Sequence, residues 1–541
     1  MKTNRGEDQR IEGERINTPT AFDVTPNDKV TSGCEADDKK SGDSKREGKG
    51  RLLKKSKILK TVQRLAQKQG VEVYLVGGAV RDLQMGIPPG KDFDFAVREG
   101  EDRLARSLAQ ETGGHAFLLD DQFGTWRIVI RKGGEKVELD FAHLQGRNIE
   151  EDLKNRDFTV NSMAFALKDV FGERNPGIMD PLQGMEDLKR GILRVNSEQA
   201  FLQDPLRMLR AFRFSATHKL RLEAGTFTLV QKHKSLIRKA AEERVRNEFF
   251  IALDQVSACE FLKGLDRSGL LQEIFSEVQG WESLDLDPPR HFFLLDHAFR
   301  TMETGEFILA NLRGIFPALA TRLEEHFSQS VEEGISRRML LKFLCFFHDS
   351  GKPTTRQIAS QGPTVRFMDH DQAGAKINMR IGQRIRLSRK SIRLLSEVTR
   401  HHMRLSSLAK TENLTERAKY RFFRDLGKSG IDLSLLALAN SWGKEKIGSA
   451  DLSPAPLGGE AEKMKTLVNG LLVYYFDTYN PRPLQPLLEG NEVMRILGLP
   501  PGKEVGNVLD ALKSAEIAGK VRSREEALEF IKNIDISKPL G

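Results

Sequence analysis

Residues 73–97, VYLVGGAVRDLQMGIPPGKDFDFAV, decide how the N-terminal part of this chain is read. Val73 to Val76 form an apolar run that ends in Gly77 and Gly78, and AVRDLQ then has the character of the first turns of a helix. An apolar run bounded by glycines reads as a buried strand. Two glycines at such a junction let the backbone approach a bulky anion, and the free N–H groups of a helix start favour phosphate; an ordinary tight turn uses the same residues. Downstream, the alternation in KDFDFAV puts Asp92 and Asp94 on one face of a second strand and Phe93 and Phe95 on the other, toward a core. Carboxylates that close repel unless a divalent cation sits between them, and oxygen ligands suit Mg²⁺. A solvated acidic strand edge is the alternative. Asp140, flanked by Leu139 and Phe141 in VELDF, offers a third carboxylate from another strand.

Working outward, TWRIVIRK (125–132) and KVELDFAHL (136–144) read as strands, and the spacing of Ile58, Val62, Leu65 and Ala66 as an amphipathic helix before the first strand. These elements define a mixed α/β head over residues 51–178. From about residue 180 the apolar period becomes helical, in PLRMLRAFRFSA (205–216), AEERVRNEFFIAL (241–253), RRMLLKFLCFFHD (337–349) and KSIRLLSEVTRHH (390–402). Pro- and Gly-containing breaks at 286–291, 453–459 and 480–486 divide that part into a helical neck (179–285), a second helical domain (286–450) and a helical tail (451–541). Residues 1–50, with Phe22 as their only aromatic, lack the apolar surface to offset ordering entropy and read as a disordered tail.

The whole chain is consistent with this modularity, since its 541 residues exceed the roughly 250–300 that one hydrophobic core sustains. Hydrophobic residues at 39% and charged residues at 30% exclude a collagen-like or mostly disordered chain. A net charge of +9 is the balance of a protein that meets a polyanion such as RNA. Three distant cysteines exclude a disulfide framework and a thiolate zinc site. With no apolar run of membrane-spanning length and no apolar segment at the N-terminus, the expected location is cytoplasmic, without a membrane partner.

The stretch 73–97 resembles the signature of the tRNA nucleotidyltransferase and poly(A) polymerase family, polymerase β-like nucleotidyltransferases, in its bacterial class II form. NRDFTVNSMAFAL (155–167), DPLQGMEDLKRGILR (180–194), QDPLRMLRAFRFSA (203–216) and ERVRNEFF (243–250) resemble its further motifs, in order. The resemblance implies an α/β polymerase β-like head followed by an all-helical body and tail. It implies addition of C and/or A nucleotides from CTP and ATP to the 3′ end of tRNA without a nucleic acid template, with pyrophosphate released. Asp92 and Asp94 are implied to hold two Mg²⁺ ions. Gly77, Gly78 and Arg81 are implied to cradle the triphosphate, Asp82 to orient Arg81, and Arg156, Asp157 and Asn161 to meet triphosphate and ribose. Asp204 and Arg207 are implied to read the base, because cytosine and adenine share an amino donor beside a ring-nitrogen acceptor; Arg210 and Arg213 are candidates to face phosphate. Without the family, Asp204 is a helix cap with Pro205 at the first helical position, and Arg244 with Glu248 is an i,i+4 pair that braces the helix. The chain departs from the family at Asn155 and Gln203, where arginine and glutamate are usual.

LLDHAFRTME (294–303), FFHDSGKPTT (346–355), DHDQAGAK (369–376) and TRHHMRL (399–405) resemble the HD phosphohydrolase domain embedded in some bacterial members. His297, His348 and Asp349 are implied metal ligands, with His370 and His402 in the second sphere or as additional ligands. The closing aspartate is Asn440 here, which implies a weak divalent site and little hydrolysis. In the tail, Val505, Val508, Leu509 and Leu512 share a helix face, and Lys503, Lys513, Lys520 and Arg522 are candidates to meet tRNA. Poly(A) synthesis, or an HD hydrolase with an RNA-binding head, are the rival readings; no protein partner is implied.

Overall fold

Val73–Val76 (β1) lies within a seven-stranded sheet whose other strands are Asp92–Val97 (β2), His115–Asp120 (β3), Thr125–Lys132 (β4), Glu135–His143 (β5), Ala164–Ala166 (β6) and Ile178–Met179 (β7). The computed structural model describes residues 53–88, 90–120, 124–132, 135–172, 177–288, 291–358, 365–411, 414–445, 459–479, 487–517 and 520–534. The expected tail over residues 1–50 lies outside them. Two units are formed, Met1–Asn196 with Leu220–Leu229, and Ser197–Lys219 with Val230–Gly541.

In the first unit the strand order is β3-β4-β5-β2-β1-β6-β7, with β2 and β5 parallel and every other pair antiparallel. Alternation in β2 works as its sequence suggests: Phe93 and Phe95 are buried while Asp92 and Asp94 are exposed. Phe95 stacks on Phe141 of β5 at 4.7 Å, so the parallel pair shares an aromatic core. The helix Lys57–Gln69 covers that core with Leu59, Val62, Leu65 and Ala66, each such large side chain contributing about 1.5–3 kcal/mol on burial. Ser56 caps its start and Gly70, at φ 69°, ends it in the left-handed region. β3 was not legible: Phe117, Leu118 and Leu119 are 45%, 43% and 44% exposed on this edge strand, so HAFLLD has no inward and outward alternation. β6 and β7, of three and two residues, are too short to show a period.

The second unit is helical, as expected, with short two-stranded ribbons at 285–293, 330–336 and 356–367 that the helical reading passed over. Its centre is the helix Ser429–Lys444, whose residues from Ser429 to Asn440 are all buried, the mark of a helix packed on every side. It packs along Leu294–Ala310, and Arg337–Phe347 packs on both. Trp281, Phe343, Phe346 and Phe347 stack around one another there. Toward the C-terminus, Lys503–Ile517 buries Val505, Val508 and Leu512 in a separate small core with Leu488, Val493 and Ile531. Among the described residues no helix is long and apolar enough to cross a membrane.

One contact in the first unit allows no side chain at all. A Cβ on Gly184 would lie 2.1 Å from the carbonyl oxygen of Thr159, a backbone atom that cannot rotate away. Gly184→Ala is expected to destabilise the first unit by about 1–3 kcal/mol through overpacking, read as a lowered urea midpoint; an unchanged midpoint would contradict this packing.

Candidate active site

The turn after β1 and the exposed face of β2 meet at Gly77. Its φ of 70° and ψ of −137° suit glycine, and a Cβ there would stand 2.9 Å from Asp94 Oδ2. Asp94 therefore rests against bare backbone at the point where the helix Gly78–Gln84 begins. Register then builds the rest of this face: Asp92 pairs with Glu138 and Asp94 with Asp140 across β2 and β5, while Arg127 of β4 pairs with Asp140. Directly paired residues project to the same side, so four carboxylates share one face. Arg127 answers them. Its Nε donates to Asp140 Oδ1 at 2.7 Å and its Nη2 to Asp140 Oδ2 at 2.6 Å, while Lys136 lies 2.7 Å from Glu138.

Both oxygens of Asp140 thus accept from a guanidinium, which strengthens the hold of Arg127 on its proton. Partial burial, and next the charge of Glu138, raise the Asp92 carboxyl above its ordinary value. The crowding fits a divalent cation at Asp92 and Asp94, since a carboxylate pressed by carboxylates gains most from positive charge. Arg127 and Glu138 were not singled out in the sequence. Their place opposite Asp140 and Asp92 depends on strand register, which local alternation does not encode.

Beside this face runs a buried polar chain. Arg81 donates through Nε and Nη2 to Asp82 Oδ1, at 2.9 and 2.7 Å, and through Nη1 to Asn161 Oδ1 at 2.7 Å. Asn161 in turn donates to Asp157 Oδ1 at 3.1 Å, which also accepts from the Phe158 backbone at 2.9 Å. Arg81, Asn161 and Asp157 are all buried, so their orientations are set by these bonds. Arg156 stands apart, its Nε donating to Asp152 at 2.9 Å, and Asn155 donates to the Gln145 carbonyl at 3.2 Å.

In the second unit Asp204 precedes the helix Leu206–His218, with Pro205 in the cap position rather than at the first helical one. Asp204 Oδ1 accepts from the Leu206 N–H at 3.2 Å, and Arg207 Nη1 donates to the Ala200 carbonyl at 3.3 Å. The expected i,i+4 pair of Arg244 with Glu248 is not formed. Arg244 donates instead to Asp204, at 2.8 Å to Oδ2 and 3.3 Å to Oδ1. Glu248 is buried and faces Leu206–His218, where Arg210 at 3.2 Å and Arg213 both donate to it. Packing decides the difference: a buried carboxylate takes the nearest cations of the helix it packs on, and Arg244, exposed at the helix start, is left for Asp204.

Farther along, His297, His348, Asp349, His370 and His402 are brought together and buried. Asp349 lies at the centre, 3.1 Å from His297 Nε2, 3.2 Å from His348 Nε2, 3.4 Å from His370 Nε2 and 3.3 Å from His402 Nε2. Lys352 Nζ donates to its Oδ2 at 2.6 Å. Burial pushes His297 down to about 3 and lowers His348. Burial alone would raise Asp349, but the charges of His348 and Lys352 outweigh it and hold the carboxyl well below its usual range. His370 is raised, its bond to Asp349 overcoming the opposing effect of burial. Neutral imidazoles around an ionised carboxylate are the donor set of a transition-metal ion. Asn440 is buried on the helix packed along that of His297, with no hydrogen-bond partner for Oδ1.

Family models of the poly A polymerase head domain, of a probable RNA and SrmB-binding site of polymerase A, and of the HD domain match residues 73–194, 219–281 and 295–426. The CC-adding tRNA nucleotidyltransferase of Geobacter sulfurreducens is 30% identical over 475 residues, 88% of this chain and 95% of that one. The A-adding tRNA nucleotidyltransferase of Deinococcus radiodurans is 32% identical over 466 residues, 85% of this chain and 94% of that one. A solved CCA-adding enzyme in complex with CTP shares the fold at a TM-score of 0.60 and 21% identity, covering 91% of this chain and 97% of that one.

The arginine clamp on Glu248 lends itself to a direct test. Glu248→Gln removes the charge that two arginines share and is expected to cost about 1–3 kcal/mol, discounted because Arg210 is partly exposed. Chemical denaturation of the variant reads the loss, and a change below about 0.5 kcal/mol would show that the clamp is idle.

Proposed function

The chain belongs to the tRNA nucleotidyltransferase and poly(A) polymerase family, and from that premise we propose that it adds C, A or both to the 3′ end of tRNA from CTP and ATP, releasing pyrophosphate. One observation carries this reading: the paired carboxylates of β2 stand against the bare backbone of Gly77, where a polyphosphate meets no side chain. Asp92 and Asp94 are assigned as ligands of two Mg²⁺ ions. When bound, such ions supply positive charge to the triphosphate and acidify the attacking 3′-hydroxyl. Asp140 acts through Arg127, since both of its oxygens already serve that guanidinium.

The other roles belong to the chain's own groups. Gly77 and Gly78 offer backbone to the triphosphate, and Arg81 offers a guanidinium whose plane Asp82 and Asn161 hold. Asp157 accepts from a ribose 2′-hydroxyl, and Arg156 meets phosphate. Asp204 accepts the amino proton that cytosine and adenine share, and Arg207 donates to the ring nitrogen beside it. Guanine and uracil present the reverse order and leave both groups unpaired, at about 1–3 kcal/mol for each buried group. Arg210 and Arg213, both engaged with Glu248, brace that helix. In the HD domain, His297, His348 and Asp349 are assigned to a divalent ion, and the neutral amide of Asn440 leaves the site short of charge for hydrolysis. The protein's working location on this reading is the cytoplasm.

Incorporation of each labelled nucleotide into tRNA transcripts ending at the discriminator base, at C and at CC tests the reading and separates CC, A and CCA addition. Long A tracts on unrelated RNA would favour poly(A) synthesis instead. Asp92→Ala or Asp94→Ala is expected to bring addition below a tenth of the parent rate with folding and tRNA binding preserved; faster turnover in Mg²⁺ would refute the ligand assignment. Asp204→Ala is expected to relax rejection of GTP and UTP more than it raises the KM for ATP. Undiminished base discrimination in that variant would assign base reading elsewhere.

A further inference from the structure

The five buried residues around Asp349 divide into two halves, one on each oxygen of its carboxylate. On the Oδ2 side, His297 Nε2 and His348 Nε2 lie 3.1 and 3.2 Å from the oxygen and 3.3 Å from each other. On the Oδ1 side, His370 Nε2 and His402 Nε2 lie 3.4 and 3.3 Å from the oxygen and 3.2 Å from each other. Each half is a nearly equilateral triangle of two nitrogens and one oxygen. A metal ion with bonds of about 2.1 Å sets neighbouring ligands about 3.0 Å apart in an octahedron and about 3.4 Å apart in a tetrahedron. Both triangles fall in that interval.

The far sides of the rings orient them for the same purpose. Nδ1 of His348, His370 and His402 lies 3.2, 2.8 and 2.7 Å from the carbonyl oxygens of Cys345, Phe367 and Thr399. A carbonyl only accepts, so Nδ1 carries the proton, and in the neutral ring Nε2 presents a lone pair toward Asp349. Lone pairs facing a carboxylate in a buried site repel unless positive charge lies between them. Lys352 meets that need only at Oδ2, where the oxygen keeps a second lone pair for another partner.

The geometry points to two divalent ions in the helical unit, one held by His297, His348 and Asp349 Oδ2, the other by His370, His402 and Asp349 Oδ1, with Asp349 as the bridge. Imidazole-rich ligation with one carboxylate selects Mn²⁺, Fe²⁺, Ni²⁺ or Zn²⁺ over Mg²⁺. This rests on the reading of His297, His348 and Asp349 as an ion site and extends it by a second ion and a shared ligand. It is independent of nucleotide addition in the head.

The test uses the full chain carrying Asp92→Ala and Asp94→Ala, which removes the head's ligands, at equilibrium dialysis against Mn²⁺ without nucleotide. Saturation at two ions per chain is expected, with the electron paramagnetic resonance spectrum of an exchange-coupled pair. Adding His370→Gln is expected to halve the bound Mn²⁺ and restore the six-line spectrum of an isolated ion, and Asp349→Asn to abolish the coupling. The coupled spectrum requires no variant in the helical unit, so a misfolded substitution does not mask it. Saturation at one ion, or two ions without coupling, overturns the bridged pair and leaves the simpler site standing. No retained Mn²⁺ overturns both.

Discussion

The pairing of β1 with β2, in the register that sets Val76 opposite Asp94, is the constraint on which the head depends. It presses an ionised side chain against the turn that closes β1, and Gly77 is the residue that tolerates both the positive φ and the carboxylate 2.9 Å from its missing Cβ. The parallel pairing of β2 with β5 then extends the acidic face by Glu138 and Asp140, and β4 supplies Arg127 as counter-charge. A slip of one residue between β2 and its neighbours would turn Phe93 and Phe95 to solvent and the aspartates into the core. The aromatic stack of Phe95 on Phe141 therefore secures the site on the opposite face of the sheet.

The helical unit uses buried charge where the head uses register. Glu248 gathers Arg210 and Arg213; Lys342 donates to Glu306; Asp432 accepts from Arg337 and faces His326 Nε2 at 3.3 Å. Each pair joins helices distant in sequence, and removing one partner leaves the other desolvated and uncompensated. Such contacts restrict which helix faces pack together. Asp349 is the most crowded example, with four imidazoles and one ammonium around one carboxylate.

Legibility followed the range of the interaction. The alternation of Asp92 to Val97 and the apolar face of Lys57–Gln69 are local, and both were readable. β3 was missed because its edge position leaves Phe117 to Leu119 without the burial pattern that marks a strand. Arg244 and Glu248 are spaced as a helical pair, yet each is bound to a different residue on or just before Leu206–His218. Competition from a packed neighbour overrode the i,i+4 rule, which describes a helix alone.

The sequence by itself determined the residue types that do chemistry and the order in which they occur: glycines after a strand, aspartates two apart, histidines and an aspartate along a helical stretch. Period and spacing suffice for these, because a strand or helix fixes the direction of its own side chains. Only the tertiary structure decided which charges meet. Arg127 reaches Asp140 through strand pairing, Asp204 is claimed by Arg244, and His370 and His402 arrive at the oxygen of Asp349 opposite that of His297 and His348. Charge partners are chosen by distance and burial in three dimensions, and neither is a property of neighbouring positions along the chain.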